Sequence, residues 1–523
     1  MTRGGAGRPA RGTFQASGDG GRTALQPELS SDAIRRAVRR GGSAVFLAQL
    51  ASQFLSLIFL GILLRQLGLI PYGWMGMAAP LLVLVRILIH SGLDVAAIQE
   101  GSLDDRQISA LFWVNQVLGA LGALAVAVAA PLMVRLYGEA ELFGLTVALA
   151  GTMPATTLGA QHQALLQRHL RLGTLSLIRL IAQAASGAAA VAAALAGWGV
   201  WALVVQQYAE LLLTSLLAWR VEPWRPQWVL RNTGSRGLLA FGGHYALSNL
   251  LFFVLANLDK VLIGAWLGPA TLAVYGQAFN LAQKPVGLVA APLITVMLPT
   301  LSRSRFRPDE YRRWFAAFLR FLAWLMLPCG VGLAVVSPET MLVLGGEQWA
   351  AAGPILRVFA LLIPFQACFN VLGSVFSSVG RADRMALGSL ATAAVSAVVF
   401  AAAIALLRGH PHAALLFAAV YVVLFCLVLF PPYLGWALRT AGLEWASVLA
   451  PVMDVLPPTL AMAGAVSALH AAGTWAWPAS PWVLLPLEVL MGVTVYLGLS
   501  RRQLRYYLRE GFRGFLPEGE GPP

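Results

Sequence analysis

The residues in this sequence best placed to do chemistry are its two lysines, Lys260 and Lys284, both within the stretch Asn257 to Pro285 (NLDKVLIGAWLGPATLAVYGQAFNLAQKP). The rest of the 37 basic residues are arginine. A charge inside an apolar run is costly, and is usually kept where it faces a cavity, a partner or a substrate. One reading is a cationic site for an anionic substrate. The other is that Lys260 snorkels to an interface and Lys284 makes a structural pair. Tyr275, Asn280 and Gln283 add polar groups beside the lysines and join them as candidate substrate contacts. Asp259 adjoins Lys260, but neighbours on a helix do not face one another, so the two serve different partners. Lys284 falls about 18–20 Å along its helix, near mid-depth. Pro285 is expected to kink the helix there and free a carbonyl.

A second constellation is Arg86, His90 and Asp94. Their i, i+4, i+8 spacing puts all three on one helical stripe. Arg86 falls about 18 Å along its helix, again near mid-depth. The functional reading is phosphate binding at Arg86, with coupling or gating by His90, Asp94 and Asp259. The alternative is an internal ladder of charges that holds helices together.

The elements that must position these groups are membrane helices. The chain has 523 residues, 58% of them hydrophobic and 11% charged, with a mean hydropathy of +0.71. That is a polytopic all-α membrane composition. With about 20 apolar residues needed per span, fourteen candidates emerge: 43–66, 74–98, 109–134, 142–165, 174–196, 200–219, 238–262, 272–299, 314–336, 352–379, 385–407, 413–437, 449–471 and 481–500. Cys329, Cys368 and Cys426 lie in apolar runs as small core residues, with no disulfide or metal spacing. No cofactor is implied. The net charge of +14 follows topology and is no sign of nucleic-acid binding.

With the N-terminus placed in the cytoplasm, 29 Lys and Arg fall in inner segments and 4 in outer ones, Arg65, Arg135, Lys260 and Arg408. That asymmetry puts both termini inside. Residues 1–42 read as a cytoplasmic tail, disordered over 1–29, then an interfacial amphipathic helix over 30–42 or a plain stop-transfer cluster. Six spans over 43–219 form a first bundle. A Pro/Arg linker, 220–237, separates it from a second bundle over 238–437. Two added spans fill 438–500, and a basic tail closes the chain at 501–523.

The two bundles read as a repeat. LGLIPYG (67–73) pairs with LGPATLAVYG (267–276), RLYGEAE (135–141) with VLGGEQW (343–349), and LLQRHLR (165–171) with SVGRADR (378–384). Six spans separate the equivalents, so the repeats run parallel about an axis normal to the membrane. Transporters built this way hold substrate between the repeats and rock one against the other.

The stretches GLDVAAIQEGSLDDRQISALFWVNQVLG, LLQRHLRLGTLSLIRL, GWGVWALVVQQ, NLDKVLIGAWLG, YGQAFNLAQKPVGL and LGGEQWAAAGPILRVFAL resemble the polysaccharide-transporter family of bacterial exporters. Within it they are closest to Wzx-type, colanic-acid-exporter-like flippases of the multidrug/oligosaccharidyl-lipid/polysaccharide superfamily. The resemblance covers roughly 43–440. It implies two six-helix bundles around a central cavity, plus two C-terminal helices, in the bacterial inner membrane. It implies an undecaprenyl-pyrophosphate-linked oligosaccharide as substrate, and a polymerase and glycosyltransferases of the same pathway as partners. Arg86, Lys284 and Lys260 are then the candidates for the pyrophosphate. The Arg-rich start departs from the compact family start. A multidrug/cation antiporter of the same superfamily is the alternative, although mid-depth bases favour an anion. A membrane glycosyltransferase or polymerase fits less well, since there is no Asp-x-Asp motif and no loop with room for a catalytic domain.

The orientation is open to direct test. Cysteines placed at Gly138 and Gly346 are expected to label from outside, and at Arg171 and Arg307 from inside. Outside labelling at Arg307 would reverse the topology.

Overall fold

In hydrocarbon a backbone has no water to bond, so long apolar runs fold as helices that satisfy their own N–H and C=O groups. The computed structural model describes residues 31–90, 105–228, 257–475 and 480–510, and among these every regular element is helical. Twelve helices are long and apolar enough to cross a membrane, and one further pair, Ala352–Ala360 and Ile363–Ser378, is bent by 47°. Thirteen of the fourteen expected spans are thereby met. The expected seventh, 238–262, lies mostly outside the described residues.

The first group of helices comprises α1 (Ser31–Leu67), α2 (Leu69–His90) and α3 (Asp105–Tyr137). It continues with α4 (Glu141–Ala150), α5 (Thr152–Leu158), α6 (Ala160–Arg168), α7 (Leu172–Leu195) and α8 (Trp201–Val221). Helix α7 packs between α1 and α8, and α3 carries α2, α4 and α5. The expected single span at 142–165 is three short helices, α4 to α6, joined at Gly151 and Gly159. Tyr208 and Ser215 of α8 fill the space a side chain at those glycines would take. Backbone approach of this kind is how membrane helices gain packing energy when hydrocarbon removes the hydrophobic drive between them. Residues 31–42, expected as a separate interfacial helix, run straight into the first span as one helix.

The second group is built around α9 (Leu258–Ser304), whose only non-helical residue is Gly268, at φ +82°. Gly268 is the turn expected within 267–276, joining two helices end to end, and Pro285 lies inside the second of them. Around α9 pack α10 (Pro308–Val335), α12 (Ala352–Ala360), α13 (Ile363–Ser378), α14 (Ala382–Leu407) and α15 (Ala413–Val423). The short α11 (Ser337–Gly345) links α10 to α12, and α15 continues through a π-helical turn into α16 (Phe430–Ala441). The last two spans, α17 (Ala446–Trp475) and α18 (Pro481–Leu499), lie outside this group. Helix α17 runs along α10, and α18 touches α17 and α11. The basic helix α19 (Arg501–Glu510) turns back so that Tyr507 packs on Phe321 and Trp324. Burial there pushes the Tyr507 phenol up to about 12.

Left-handed residues mark the turns at matched places: Gly68 and Gly268, Gly138 and Gly346, Leu170 and Gly380, Gly199 and Gly409. Each pair stands roughly 200–210 residues apart, and glycine suits seven of the eight because a Cβ resists φ > 0. The pairing agrees with the repeat expected from the sequence, and it aligns Arg171 with Arg381 where the sequence comparison had used Arg168.

The two groups meet where α2 lies along α9. At one end of that seam a methyl group on Gly73 would overlap the Pro269 carbonyl, while Gly144 faces open space. Gly73→Ala is therefore expected to cost roughly 1–3 kcal/mol through overpacking. Gly144→Ala should stay within about 0.5 kcal/mol of wild type. Melting of the detergent-extracted protein measures both, and equal melting of the two variants would show that the seam is not tightly packed at Gly73.

Candidate functional site

A polar cavity lies in the seam. Its first chamber, of about 300 Å³, is bounded by Tyr72, Gly76 and Ala79 of α2, Gln206 and Gln207 of α8, and Lys260, Gln277 and Asn280 of α9. A second chamber of about 320 Å³ is bounded by Ser56 and Leu60 of α1, Gln183 of α7, and Gln206 and Glu210 of α8. Tyr72, Leu203 and Gln206 line both. Pro80 lacks the N–H that would bond the carbonyl of Gly76, so α2 offers a spare backbone acceptor at the cavity wall. Intramembrane polar groups gathered around one space are the usual mark of a substrate path.

The lysines hold different parts of this space. The Lys284 ammonium reaches across the seam and donates to Ser56 Oγ at 2.8 Å. Lys260 donates to Asn257 Oδ1 at 3.2 Å and sits 5.0 Å above the Phe279 ring. Neither bond gives the ammonium a carboxylate partner, so both cations keep charge to offer. Asn280 is at the wall, as expected. Gln283 lies half-buried on α9 beside Lys284.

Arg86 and Glu210 of α8 attract one another electrostatically. The Arg86 Nε is buried without a hydrogen-bond partner. On the first group Arg86 thus feels the charge of Glu210, and the two lysines belong to the second. Of the remaining stripe, the side chain of His90 and the whole of Asp94 lie outside the described residues.

Tyr275, expected at the cavity, is fully buried. Its hydroxyl donates to Asp259 Oδ2 at 3.0 Å, and its ring packs edge-on against Phe359 and Phe417. Asp259 is buried with it, inside the second group and away from the seam. Helix geometry explains the split. Tyr275 and Asn280 are five residues apart, so they point to different faces of α9. Asp259 and Lys260 likewise diverge, as adjacent helical residues must.

Gln183, Gln206, Gln207 and Glu210 were not foreseen. The signal was present in GWGVWALVVQQYAELLL, where Gln206, Gln207 and Glu210 sit i, i+1 and i+4 inside an otherwise apolar run.

Beside the cavity the two groups are joined by reciprocal bonds. Arg65, near the end of α1, donates to the carbonyls of Leu342 (3.0 Å) and Val343 (2.8 Å) in α11. In return, Gln348 Nε2 and Trp349 Nε1 each donate to Leu64 O at 3.0 Å. Trp349 also packs edge-on against Tyr72 of the cavity wall, at 5.6 Å.

The Tyr275–Asp259 assignment has a measurable consequence. Tyr275→Phe leaves a buried carboxylate short of a donor, a loss of about 1–3 kcal/mol. It should lower melting temperature while activity per folded molecule is kept. Normal melting with lost activity would return Tyr275 to the substrate path.

Comparison with known proteins agrees with this architecture. The chain is 30% identical over 304 residues to the teichuronic acid biosynthesis protein TuaB of Bacillus subtilis (strain 168), covering 58% of this chain and 63% of that one. It is 25% identical over 309 residues to the succinoglycan biosynthesis transport protein ExoT of Rhizobium meliloti (strain 1021), covering 59% and 62%. The matches thus span somewhat under two thirds of those relatives' lengths. Among solved structures, the fold is that of the lipid II flippase MurJ in an inward closed conformation, with a TM-score of 0.68 over 90% of this chain and 99% of that one, at 12% identity. The profile of the polysaccharide biosynthesis protein family matches residues 62–354, more than half of the sequence, and the chain belongs to that family.

Proposed function

We propose that the chain moves a lipid-linked oligosaccharide across the bacterial inner membrane, with an undecaprenyl-pyrophosphate headgroup held in the seam cavity. The observation that carries this is Lys260 in the cavity wall and Lys284 bonded to Ser56 of that wall, with no carboxylate bonded to either among the described residues. A pyrophosphate cannot cross bare hydrocarbon, and cations in a wet cavity lower that barrier by Coulomb attraction. The glutamines and Asn280 suit the hydroxyls of a sugar. The two groups would rock about the seam as repeats. On this reading the bonded end at Arg65 and Trp349 is the periplasmic gate, and both termini are cytoplasmic, as the basic residues favour. The names of ExoT, a biosynthesis transport protein, and of MurJ, a lipid II flippase of the same fold, support transport of such a unit. Glycosyltransferases would supply the unit and a polymerase would consume it.

Glu210 at the cavity wall is the one observation that favours a cationic drug instead. Arg86 beside it offsets that charge, which leaves the lysines to set the sign of the site.

Export of surface polysaccharide, normalised to monodisperse protein, tests the proposal. Lys284→Ala and Lys260→Ala should each lower export about tenfold, the equivalent of 1.4 kcal/mol of lost attraction. Lys284→Arg should partly restore it and Lys284→Glu should not, because Arg keeps the charge and reshapes the donors. Normal export by both alanine variants and by their double would remove the cationic site. Loss of export in Glu210→Gln with the lysine variants normal would favour the antiporter.

A further inference from the structure

Away from the seam, Glu339 in the first turn of α11, His470 near the end of α17 and Glu488 in α18 meet at one point. His470 Nδ1 lies 2.9 Å from Glu488 Oε1 and 3.5 Å from Glu339 Oε1. One ligand atom from each residue falls within 4.8 Å of the others. The Glu488 side chain is 0% exposed and that of Glu339 is 9% exposed. The remaining carboxylate oxygens, Oε2 of each, are buried with no hydrogen-bond partner.

Two carboxylates this deeply buried need compensation. The start of α11 gives Glu339 part of a positive helix dipole, and a protonated His470 would neutralise one charge of the two. Two unpartnered oxygens still remain. A divalent ion removes that deficit at once, and the donors are one imidazole nitrogen and two carboxylates. We propose that Glu339, His470 and Glu488 bind a divalent transition-metal ion, with zinc the best match.

The chemistry suits zinc. It takes His nitrogen and carboxylate oxygen at about 2.0–2.2 Å, commonly from three protein ligands and one water. Tetrahedral coordination at those lengths places donors roughly 3.3–3.5 Å apart; His470 and Glu339 already stand at 3.5 Å, while His470 and Glu488 sit at hydrogen-bond distance, 2.9 Å, and would part slightly to admit the ion. Calcium and magnesium favour all-oxygen shells, so the histidine selects against them. The three ligands come from three helices, two of which are the added spans. The metal would fasten α17 and α18 to α11, whose carbonyls at Leu342 and Val343 hold Arg65. Arg65 in turn lies 4.8 Å over the ring of Trp482 at the start of α18. The site thus has a structural role, separate from the transport cavity.

The test uses the full-length protein, purified without a histidine tag, stripped with a chelator and returned to zinc chloride. Bound zinc is counted by mass spectrometry after desalting, and melting is followed with and without the ion. Wild type should hold one equivalent and melt higher with zinc. Glu488→Gln and His470→Asn should bind at least about tenfold more weakly and lose the zinc-dependent rise. A variant changed at His410 and His412, an exposed pair that could hold zinc by itself, should keep both. Cobalt in place of zinc should give a visible d–d band in wild type that zinc displaces. No stoichiometric zinc in wild type would overturn the proposal, and this holds even if a glutamine variant fails to fold. Zinc retained by His470→Asn, or lost on changing His410 and His412, would overturn it as well.

Discussion

Everything at the seam depends on how helix ends are satisfied where water is scarce. A helix leaves its last four carbonyls without intrahelical donors, and in a membrane those carbonyls must find protein partners. Here each group caps the other. Carbonyls near the end of α1 accept from Gln348 and Trp349, and carbonyls near the end of α11 accept from Arg65. Closure of this end therefore satisfies polar groups on both sides at once. Opening it requires water, or another set of donors, to replace them. A seam joined by exchangeable hydrogen bonds at one end, with a polar cavity behind it, is suited to two states. A seam of interlocked apolar side chains would be much harder to part.

The cavity is asymmetric in charge. The first group contributes Glu210 and neutral amides to the wall, and Arg86 offsets the charge of Glu210. The second contributes Lys260, before the Gly268 turn, to the wall, and Lys284, after that turn, bonds to Ser56 of the wall. Because Lys284 bonds to Ser56 across the seam, an anion that draws the ammonium away also breaks a contact between the groups. The proposed substrate would thus act on the same seam whose movement would carry it. Lys260 is placed differently, over the Phe279 ring, where an aromatic face supports a cation without neutralising it.

Four acids of the helix bundle, the exposed Glu210 and the buried Asp259, Glu339 and Glu488, divide into three uses. Asp259 is held inside the second group by Tyr275. Glu210 faces the cavity beside Arg86. Glu339 and Glu488 gather on His470 at the join between the added spans and the rest. All four carboxylates lie at helix-packed positions, yet only Glu210 touches the space where a substrate would fit.

Much of the fold was legible in the sequence because hydrocarbon imposes it. Apolar runs of spanning length must be helices, and thirteen of the fourteen expected ones are met among the described residues. The turn motifs also recur as left-handed residues at matched positions, since backbone sterics alone select glycine there. Lys260, Lys284 and Asn280 could be singled out too, because polar groups in apolar runs stand out without any structure. What the sequence could not decide is which way each side chain faces. Tyr275 and Asn280 are near neighbours in the chain, but one is buried on Asp259 and the other lines the cavity, and only the packing of α9 against both groups separates them. The attraction between Arg86 and Glu210 joins residues distant in sequence, so no local spacing announced it. Glu339, His470 and Glu488 come from three helices that meet only in the folded chain. Contacts between helices distant in sequence belong to tertiary structure, whereas periodicity and hydropathy report only on one helix at a time.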